Sequence, residues 1–448
     1  MAVERVSPPV DQGSDPIFQP LRFRCLEVKN RIFRSNMTGP FDEYDGTGNE
    51  YRIRFDEQFA RGGVGAVCSA HVPICVPGRI SPYVASIDAD HRIGFWKKLI
   101  ERIHAHDCKY IMQLIYSGRQ RDEAGLENQG TPGLSSTNRR DPVHGLPSRK
   151  MTKAQIDEVR GLFVNAARRA LEAGADGVEL HAANGYLFTQ FLSRAINDRT
   201  DEYGGSLENR ARLLREVVQD IRATLGFNFH LQVKISIAEF STTLNPLTRS
   251  GNSVDDNVEV CRWLEKDGVD AIVVSAGSFA PHPKNPAGSF PLGIARQTYA
   301  MMLGSGNKAL SNYLAIRTPV VGEIFQWWWR ARRGPEQSIE GILVPYAAAV
   351  KKAVRIPVLV TGGFQTASVI REVIRSGKAD GVTIARSLLA NPNMAHLFQQ
   401  GLDRPPNPCT YCNACLVEAL QNPLGCYEPK RFGGDREQML EKVLSIFR

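Results

Sequence analysis

The sequence lacks any apolar run long enough to cross a bilayer, since its longest candidates, such as Ile356–Gly363, have the length of one strand. It also lacks a secretory signal, because the N-terminal MAVERVSPPVDQGSDP carries acidic residues and prolines where such a signal has an apolar core. Lysine and arginine are spread along the chain, so the formal net charge of +8 forms no long basic tract. We therefore expect a cytoplasmic protein that binds neither a membrane nor nucleic acid.

A disulfide framework is also not indicated, because the nine cysteines occur in a chain without an export signal. Reduced thiols or a metal site are more natural in such a chain. The composition, 42% hydrophobic and 23% charged, is typical of a globular protein, and 448 residues can bury a large core. That length allows two or three domains, but it also allows one α/β barrel with insertions, so the order of the elements must decide.

Short apolar, β-branched runs recur along the chain with amphipathic helical patterns between them, which is typical of a parallel sheet covered by helices. One helix begins cleanly at Thr152, where TKAQ resembles a capping box, and runs to Ala173. Eight strands with eight helices predict a closed (β/α)8 barrel. An open doubly wound sheet is the alternative, but no glycine-rich dinucleotide fingerprint follows the first strand. The predicted strands are Arg31–Asn36, Gly65–Ala70, Lys109–Leu114, Gly177–His181, His230–Ser236, Ala271–Ser275, Ile356–Gly362 and Gly381–Ala385.

Three segments exceed the needs of a bare barrel: a polar loop at Ser117–Arg149, an insertion at roughly 276–340 after strand six, and the tail after Gln400. Barrel enzymes vary their chemistry through loops on the C-terminal face, so the loop and the insertion are candidates for substrate contacts. The predicted organisation is an N-terminal extension at 1–20, a barrel at 21–400 that includes the insertion, and a cysteine-containing extension at 401–448.

Three consecutive tryptophans, Trp327–Trp329, lie within the insertion in the segment WWWRARRG. Large aromatic side chains supply core area more often than binding sites, so we predict that they pack the insertion against the barrel. A substrate lid or a partner-binding patch is the alternative.

The segment HAANGYLFTQFLS places His181, Asn184 and Tyr186 at the end of predicted strand four, on the face where barrel enzymes carry their chemistry. A histidine and an asparagine can both donate hydrogen bonds to one oxygen, and a tyrosine can give a proton to a nearby carbon. The alternative is purely structural: the histidine caps the strand, the asparagine makes a turn and the tyrosine packs its ring.

HAANGYLFTQFLS and the following NDRTDEYGGSLENR resemble the signature of the old yellow enzyme family of FMN-dependent NAD(P)H oxidoreductases. The resemblance extends over nearly the whole barrel, from NRIFRSNMT to ADGVTIARSLLANP. It implies that His181 and Asn184 bind the carbonyl or nitro oxygen of an activated alkene. It implies also that Tyr186 protonates the carbon opposite the one that receives hydride from NAD(P)H through FMN.

The same resemblance implies that FMN is held at the ends of the barrel strands. Gln113 would pair with the flavin pyrimidine, although the usual QLxHAGR is QLIYSGR here, with Tyr116 in place of the histidine. Lys234 stands where the family usually has arginine beside flavin N1 and O2. An unpaired ammonium inside an apolar strand would be costly to bury, and a Schiff-base lysine is the alternative explanation.

Barrel enzymes commonly bind a phosphate at the loops after strands seven and eight, and the resemblance implies the same for FMN here. The structural alternative is a glycine turn and a solvated arginine. The implied phosphate residues are Gly362, Gly363, Ala385 and Arg386, and the remaining implied ring contacts are Asn36, Met37, Thr38 and Ala70.

The segment CTYCNACLVEALQNPLGC resembles the iron–sulfur segment of the trimethylamine dehydrogenase and dienoyl-CoA reductase branch, although the last interval between cysteines is shorter. Four thiolates satisfy such a cluster, while buried apolar cysteines or structural zinc are the alternatives. Direct hydride transfer needs no one-electron relay and no further redox domain follows in this sequence, so we predict no metal and a structural tail near the barrel. The four cysteines are Cys409, Cys412, Cys415 and Cys426.

Two rival functions accompany the predicted reductase. One is a flavin dehydrogenase or demethylase that passes electrons to a cluster or a partner protein. The other is a flavin-binding barrel without turnover.

Overall fold

The computed structural model describes residues 15–121, 126–128, 130–240, 250–278, 282–304 and 306–448. Residues 1–14 of the predicted N-terminal extension lie outside the described residues. The same holds for 122–125 and 129 of the polar loop and for 279–281 and 305 of the insertion.

Eight parallel strands close into a barrel in which each strand pairs with its neighbours in sequence and β8 pairs with β1. The predicted (β/α)8 barrel is therefore confirmed, and each predicted strand overlaps an observed one. The strands are β1 (Ile32–Arg34), β2 (Ala66–Pro73), β3 (Lys109–Ile115), β4 (Gly177–Ala182), β5 (His230–Ala238), β6 (Ala271–Ala276), β7 (Val358–Thr361) and β8 (Gly381–Ile384).

Helices follow the strands and bury one apolar face against them. The predicted capping box is confirmed: the Gln155 backbone N–H donates to Thr152 Oγ1 at 3.2 Å, and the Thr152 N–H donates to Gln155 Oε1 at 3.0 Å. After β8, where a single helix was expected, the chain forms two short helices, Arg386–Ala390 and Met394–Gln399. The other outer helices are α1 (Glu50–Arg61), α2 (Ile93–His104), α3 (Lys153–Glu172), α4 (Leu207–Leu225), α5 (Val254–Lys266), α6 (Val344–Ala353) and α7 (Ala367–Arg375).

The core of the barrel has two parts. The larger part lies between the strands and the helices. The smaller lies inside the barrel, where Phe33 and Ile111 meet Leu21 and Phe23 of a short hairpin, whose antiparallel strands are Leu21–Arg22 and Glu27–Val28. This apolar plug fills the N-terminal end of the barrel, where Phe23 also contacts the ring of the buried His230, 4.7 Å between ring centres.

The insertion between β6 and β7 forms three helices, Leu292–Thr298, Ala309–Arg317 and Pro319–Arg333. Its tryptophans do not share one environment. Trp329 is 2% exposed and its indole Nε1 donates to the Gly288 carbonyl at 2.9 Å, whereas Trp327 is 70% exposed. Trp329 therefore packs within the insertion, where its ring contacts those of Phe290 and Phe325, whereas Trp327 is exposed. Among the described helices, including these three, none combines the length and apolar character needed to span a membrane.

Candidate functional site

β2 contains one extra residue just before it reaches the C-terminal face of the barrel. Its register against β3 shifts between Cys68 and His71, and such a bulge re-aims the side chains beside it. Beyond the bulge, the centre of the His71 ring lies 5.0 Å from the centre of the His181 ring and 5.2 Å from that of Tyr186. β2 therefore contributes a histidine to the site predicted after β4.

His181 and Tyr186 lie together as the sequence predicts, with ring centres 5.1 Å apart. His181 is buried, and neither of its ring nitrogens has a hydrogen-bond partner among the described residues. Burial, with the neighbouring His71 and Lys234, lowers the pKa of His181 well below its ordinary range. The ring is therefore neutral near pH 7 and offers one donor and one acceptor to a ligand.

Asn184 is anchored to the end of β6. Its backbone has a φ of 59°, in the left-handed region that asparagine tolerates, and its N–H donates to the Gly277 carbonyl at 3.1 Å. The side-chain Nδ2 donates to the Ala276 carbonyl at 2.9 Å. At most one N–H of this amide remains for a ligand, so Asn184 is a weaker candidate for an oxygen-binding group than His181.

The loop that carries Tyr186 is held by the buried side chain of Gln190. Its Nε2 donates to the Gly185 carbonyl at 2.8 Å and to the Ser117 carbonyl at 3.0 Å, and its Oε1 accepts from the Arg119 N–H at 3.1 Å. These bonds connect the chain after β4 to the chain after β3, which fixes the backbone on which Tyr186 sits.

Lys234 of β5 is paired in register with His181 and is only 4% exposed. Its ammonium donates to Ser35 Oγ at 2.9 Å and to Asn36 Oδ1, both at the end of β1. Burial lowers the pKa of Lys234, and the negative charge of Glu179 opposes that shift. Because these hydrogen bonds go to neutral oxygens, a bound anion would stabilise the buried charge.

Gln113 is fully buried and is oriented by Glu179 in the middle of the barrel. Gln113 Nε2 donates to Glu179 Oε1 at 2.5 Å, and Gln232 Nε2 donates to Glu179 Oε2 at 2.6 Å. Gln113 Oε1 has no hydrogen-bond partner within the described part of the chain. A buried acceptor left without a partner costs about 1–3 kcal/mol, so a ligand N–H would fit there.

The other predicted ring contacts lie at the ends of β1 and β2. Thr38 Oγ1 accepts from the His71 backbone N–H at 2.9 Å, and the Met37 carbonyl accepts from Arg34 at 3.3 Å. Ala70 is buried inside the bulge. These residues and Asn36 therefore surround the same end of the barrel as His181.

The predicted phosphate residues lie at two adjacent strand ends, since β7 and β8 are paired. Gly363 has a φ of 71°, a conformation that glycine adopts without strain. Ala385 precedes the helix Arg386–Ala390. Backbone amides from two such loops can meet one anion. The residues placed here are Gly362, Gly363, Ala385 and Arg386.

The C-terminal extension reaches these same positions, which the sequence did not predict. The Tyr411 hydroxyl donates to the Gly363 carbonyl at 2.6 Å, and the Arg386 guanidinium donates to Asn413 Oδ1. Arg386 also lies over the Tyr411 ring, 5.6 Å from its centre. The extension thus contacts the loops after both β7 and β8.

Comparison with known proteins identifies the chain's relatives. The family described as NADH:flavin oxidoreductase / NADH oxidase matches residues 16–298, and dihydrouridine synthase matches the shorter range 331–436. An NADPH dehydrogenase of Halalkalibacterium halodurans is 31% identical over 84% of this chain and 91% of its own length. A cinnamate reductase of Clostridium sporogenes is 27% identical over 96% of this chain, which spans only 61% of that protein.

The chain belongs to the NADH:flavin oxidoreductase / NADH oxidase family. The resemblance to old yellow enzyme is confirmed, and the structure of an old yellow enzyme homologue from Zymomonas mobilis shares the fold. That structure has a TM-score of 0.64 and 21% identity, covering 94% of this chain and 99% of the other. As a member of this family, the protein is an oxidoreductase that uses FMN and NAD(P)H.

The side chains at the barrel mouth fit FMN. The ammonium of Lys234 suits the electron-rich edge of the flavin ring, and the unpartnered Gln113 Oε1 suits its N–H. The glycine pair after β7 and Arg386 after β8 suit its phosphate. We propose that these groups hold the cofactor, with Asn36, Met37, Thr38, Ala70 and Ala385 completing the site.

Two polar residues inside the barrel, His71 of β2 and Glu179 of β4, were not predicted from the sequence. Glu179 carried a usable signal, since a carboxylate inside the apolar strand GVELH is as unusual as the lysine that was noticed in β5. His71 carried none, because its direction depends on a bulge that no local pattern marks.

Replacing Arg386 with alanine is expected to weaken FMN binding about ten- to a hundredfold, since a hydrogen bond to a charged group contributes about 1.5–3 kcal/mol. The measurement is titration of the apoprotein with FMN, with Arg22→Ala as the control because that arginine is exposed at the opposite end of the barrel. A second variant, Asn413→Ala, separates binding of the phosphate by Arg386 from the contact that Arg386 makes with the C-terminal extension. If Arg386 only fastens the extension, both site variants will lose affinity equally.

The four cysteines of the extension line one cavity together with Arg386 and Arg431. All four are free thiols. Burial raises the pKa of Cys409, and it raises that of Cys412 to about 11. Within the described residues, no three histidine, cysteine or carboxylate side chains lie in positions from which they could hold one metal ion. The cavity thus joins the cysteine segment to the predicted phosphate site.

Proposed function

We propose that the protein reduces the C=C bond of an activated alkene, such as an enone, enal or nitroalkene, at the expense of NAD(P)H. The observation that carries the proposal is the pairing of His181, whose two ring nitrogens lack partners in the described structure, with Tyr186 at 5.1 Å between ring centres. One group can bind an oxygen while the other gives up a proton.

FMN, when bound, would supply the redox chemistry by accepting hydride from NAD(P)H and delivering it to the alkene. The chain's own residues do the rest. The neutral His181 donates a hydrogen bond to the substrate oxygen and draws electron density from the C=C bond, with Asn184 as the second donor. The Tyr186 hydroxyl protonates the carbon that does not receive hydride.

The similarity to a cinnamate reductase supports an alkene as substrate, because that relative is named for the reduction of cinnamate, a compound with a conjugated C=C bond. The test uses FMN-loaded protein in the absence of oxygen, with NADH or NADPH and 2-cyclohexenone, cinnamaldehyde or β-nitrostyrene. We expect nicotinamide oxidation that depends on the alkene and matches the saturated product formed. Turnover with oxygen or dyes alone would reject the proposal.

A second candidate is the dehydrogenase that passes electrons to an iron–sulfur cluster, and the cavity shared by four cysteines favours it. The metal-free tail stays a prediction. Iron and acid-labile sulfide in anaerobically purified protein decide between them. Stoichiometric amounts of both, lost in Cys412→Ser, would establish the cluster, whereas trace amounts in the parent would support the tail.

A further inference from the structure

His71 occupies the middle of the site but belongs to none of its assigned groups. Its ring contacts those of both His181 and Tyr186, at 5.0 and 5.2 Å between centres. Its Nδ1 is buried and has no hydrogen-bond partner among the described residues. Its Nε2 lies 3.0 Å from Asn36 Nδ2.

The direction of the Asn36 amide is fixed by Lys234. An ammonium has only donors, and it bonds to Asn36 through Oδ1. The amide nitrogen of Asn36 is therefore the end that faces His71, and it donates to Nε2. Lys234 therefore donates to the Asn36 amide, and the Asn36 amide donates to the His71 imidazole.

These hydrogen bonds determine the tautomer of His71. Burial lowers the pKa of His71 most, and the positive charges of Lys234 and Arg34 lower it further, to about 3. The ring is therefore neutral near pH 7. A neutral imidazole carries one proton. Because Nε2 accepts from Asn36, that proton is on Nδ1. His71 consequently presents a buried N–H donor whose position and tautomer are both set by β1 and β5.

A buried donor such as His71 Nδ1–H is unfavourable when it has no partner. The rings next to His71 are those of His181 and Tyr186, the two residues expected to act on the substrate. We propose that His71 Nδ1–H donates a hydrogen bond to an acceptor atom of a ligand bound against His181 and Tyr186, as a third polar contact contributed by β2. The inference rests on the proposed function. Two acceptors suit this chemistry, the substrate oxygen and the edge of the flavin ring.

The test compares His71→Phe, which keeps a ring but has no donor, with His71→Asn, whose side-chain N–H can take the place of Nδ1–H. His91→Phe is the control, because this histidine is exposed. Two quantities are measured on FMN-loaded protein: the affinity for 4-hydroxybenzaldehyde, from the change in flavin absorbance, and the midpoint potential of the flavin.

If the acceptor is the ligand oxygen, His71→Phe is expected to weaken binding of 4-hydroxybenzaldehyde about ten- to a hundredfold at unchanged potential, and His71→Asn should recover most of it. If the acceptor is the flavin, the potential should fall instead. A tenfold change in the ratio of affinities for its two oxidation states corresponds to about 30 mV for two electrons. Unchanged affinity and unchanged potential in His71→Phe would overturn the inference.

Should His71→Phe fail to retain FMN, Asn36→Ala takes its place. This variant keeps the imidazole but removes the N–H that fixes its tautomer, so a weaker loss, about two- to tenfold, is expected in the same quantity. Parent-like values would again overturn the inference. Failure of the parent to reduce any alkene would reject the proposed function separately, since both measurements can be made without turnover.

Discussion

Tyr186→Phe is expected to slow reduction of the alkene by about 100- to 10,000-fold while leaving oxidation of NAD(P)H by the flavin near its parent rate. Only the alkene step requires a proton on carbon, and the hydroxyl of Tyr186 is the proposed source. Phenylalanine keeps the ring that contacts His71 and His181, so the site should retain its shape. Anaerobic stopped-flow traces measure the two half-reactions separately.

The control for this prediction is Tyr203→Phe. The Tyr203 hydroxyl donates a hydrogen bond at 2.9 Å to Glu216, which lies in α4. Its loss should leave both half-reactions unchanged. Equal slowing of both half-reactions in Tyr186→Phe would show that the tyrosine supports the site as a whole, and an unchanged alkene step would remove it from proton transfer.

The barrel could be predicted because its signals are local. Each strand is a short β-branched run, and the helix after Thr152 begins with a capping box that uses only four consecutive residues. The contact between Tyr411 and Gly363 had no such signal, since it joins residues separated by 48 positions. Nothing in either segment marks the other, so the extension was predicted to lie near the barrel but not at its phosphate loops.

The same distinction applies to the site. His181 and Tyr186 could be placed together because both lie within six residues of sequence at the end of β4. The anchoring of Asn184 depends on Ala276 at the end of β6, and the direction of His71 depends on an extra residue in β2. Sequence reasoning therefore found the residue types of the site more readily than the hydrogen bonds that each of them makes.

Lys234→Met is expected to slow reduction of the flavin by NAD(P)H by about a hundred- to a thousandfold, the usual loss when one preorganised donor to a developing negative charge is removed. The ammonium donates hydrogen bonds to Ser35 and Asn36, and Lys234 as a residue is 4% exposed. The variant removes a positive charge near the buried Glu179, whose oxygens keep their hydrogen bonds from Gln113 and Gln232, so thermal unfolding and FMN content are measured first. Stopped-flow measurement of the NAD(P)H half-reaction provides the test.

The effect of pH identifies the charge as the cause. Burial lowers the pKa of Lys234, so in the parent the ammonium loses its proton at a lower pH than an exposed lysine does, and the half-reaction should slow as pH rises through that value. Arginine keeps its proton throughout this range, so Lys234→Arg should restore most of the rate and abolish the alkaline decline. Lys234→Met should remain slow at every pH. A parent-like rate in Lys234→Met would show that Lys234 does not stabilise negative charge on the flavin. Recovered activity in Lys234→Arg would exclude a Schiff base between Lys234 and the substrate carbonyl, because arginine does not form one.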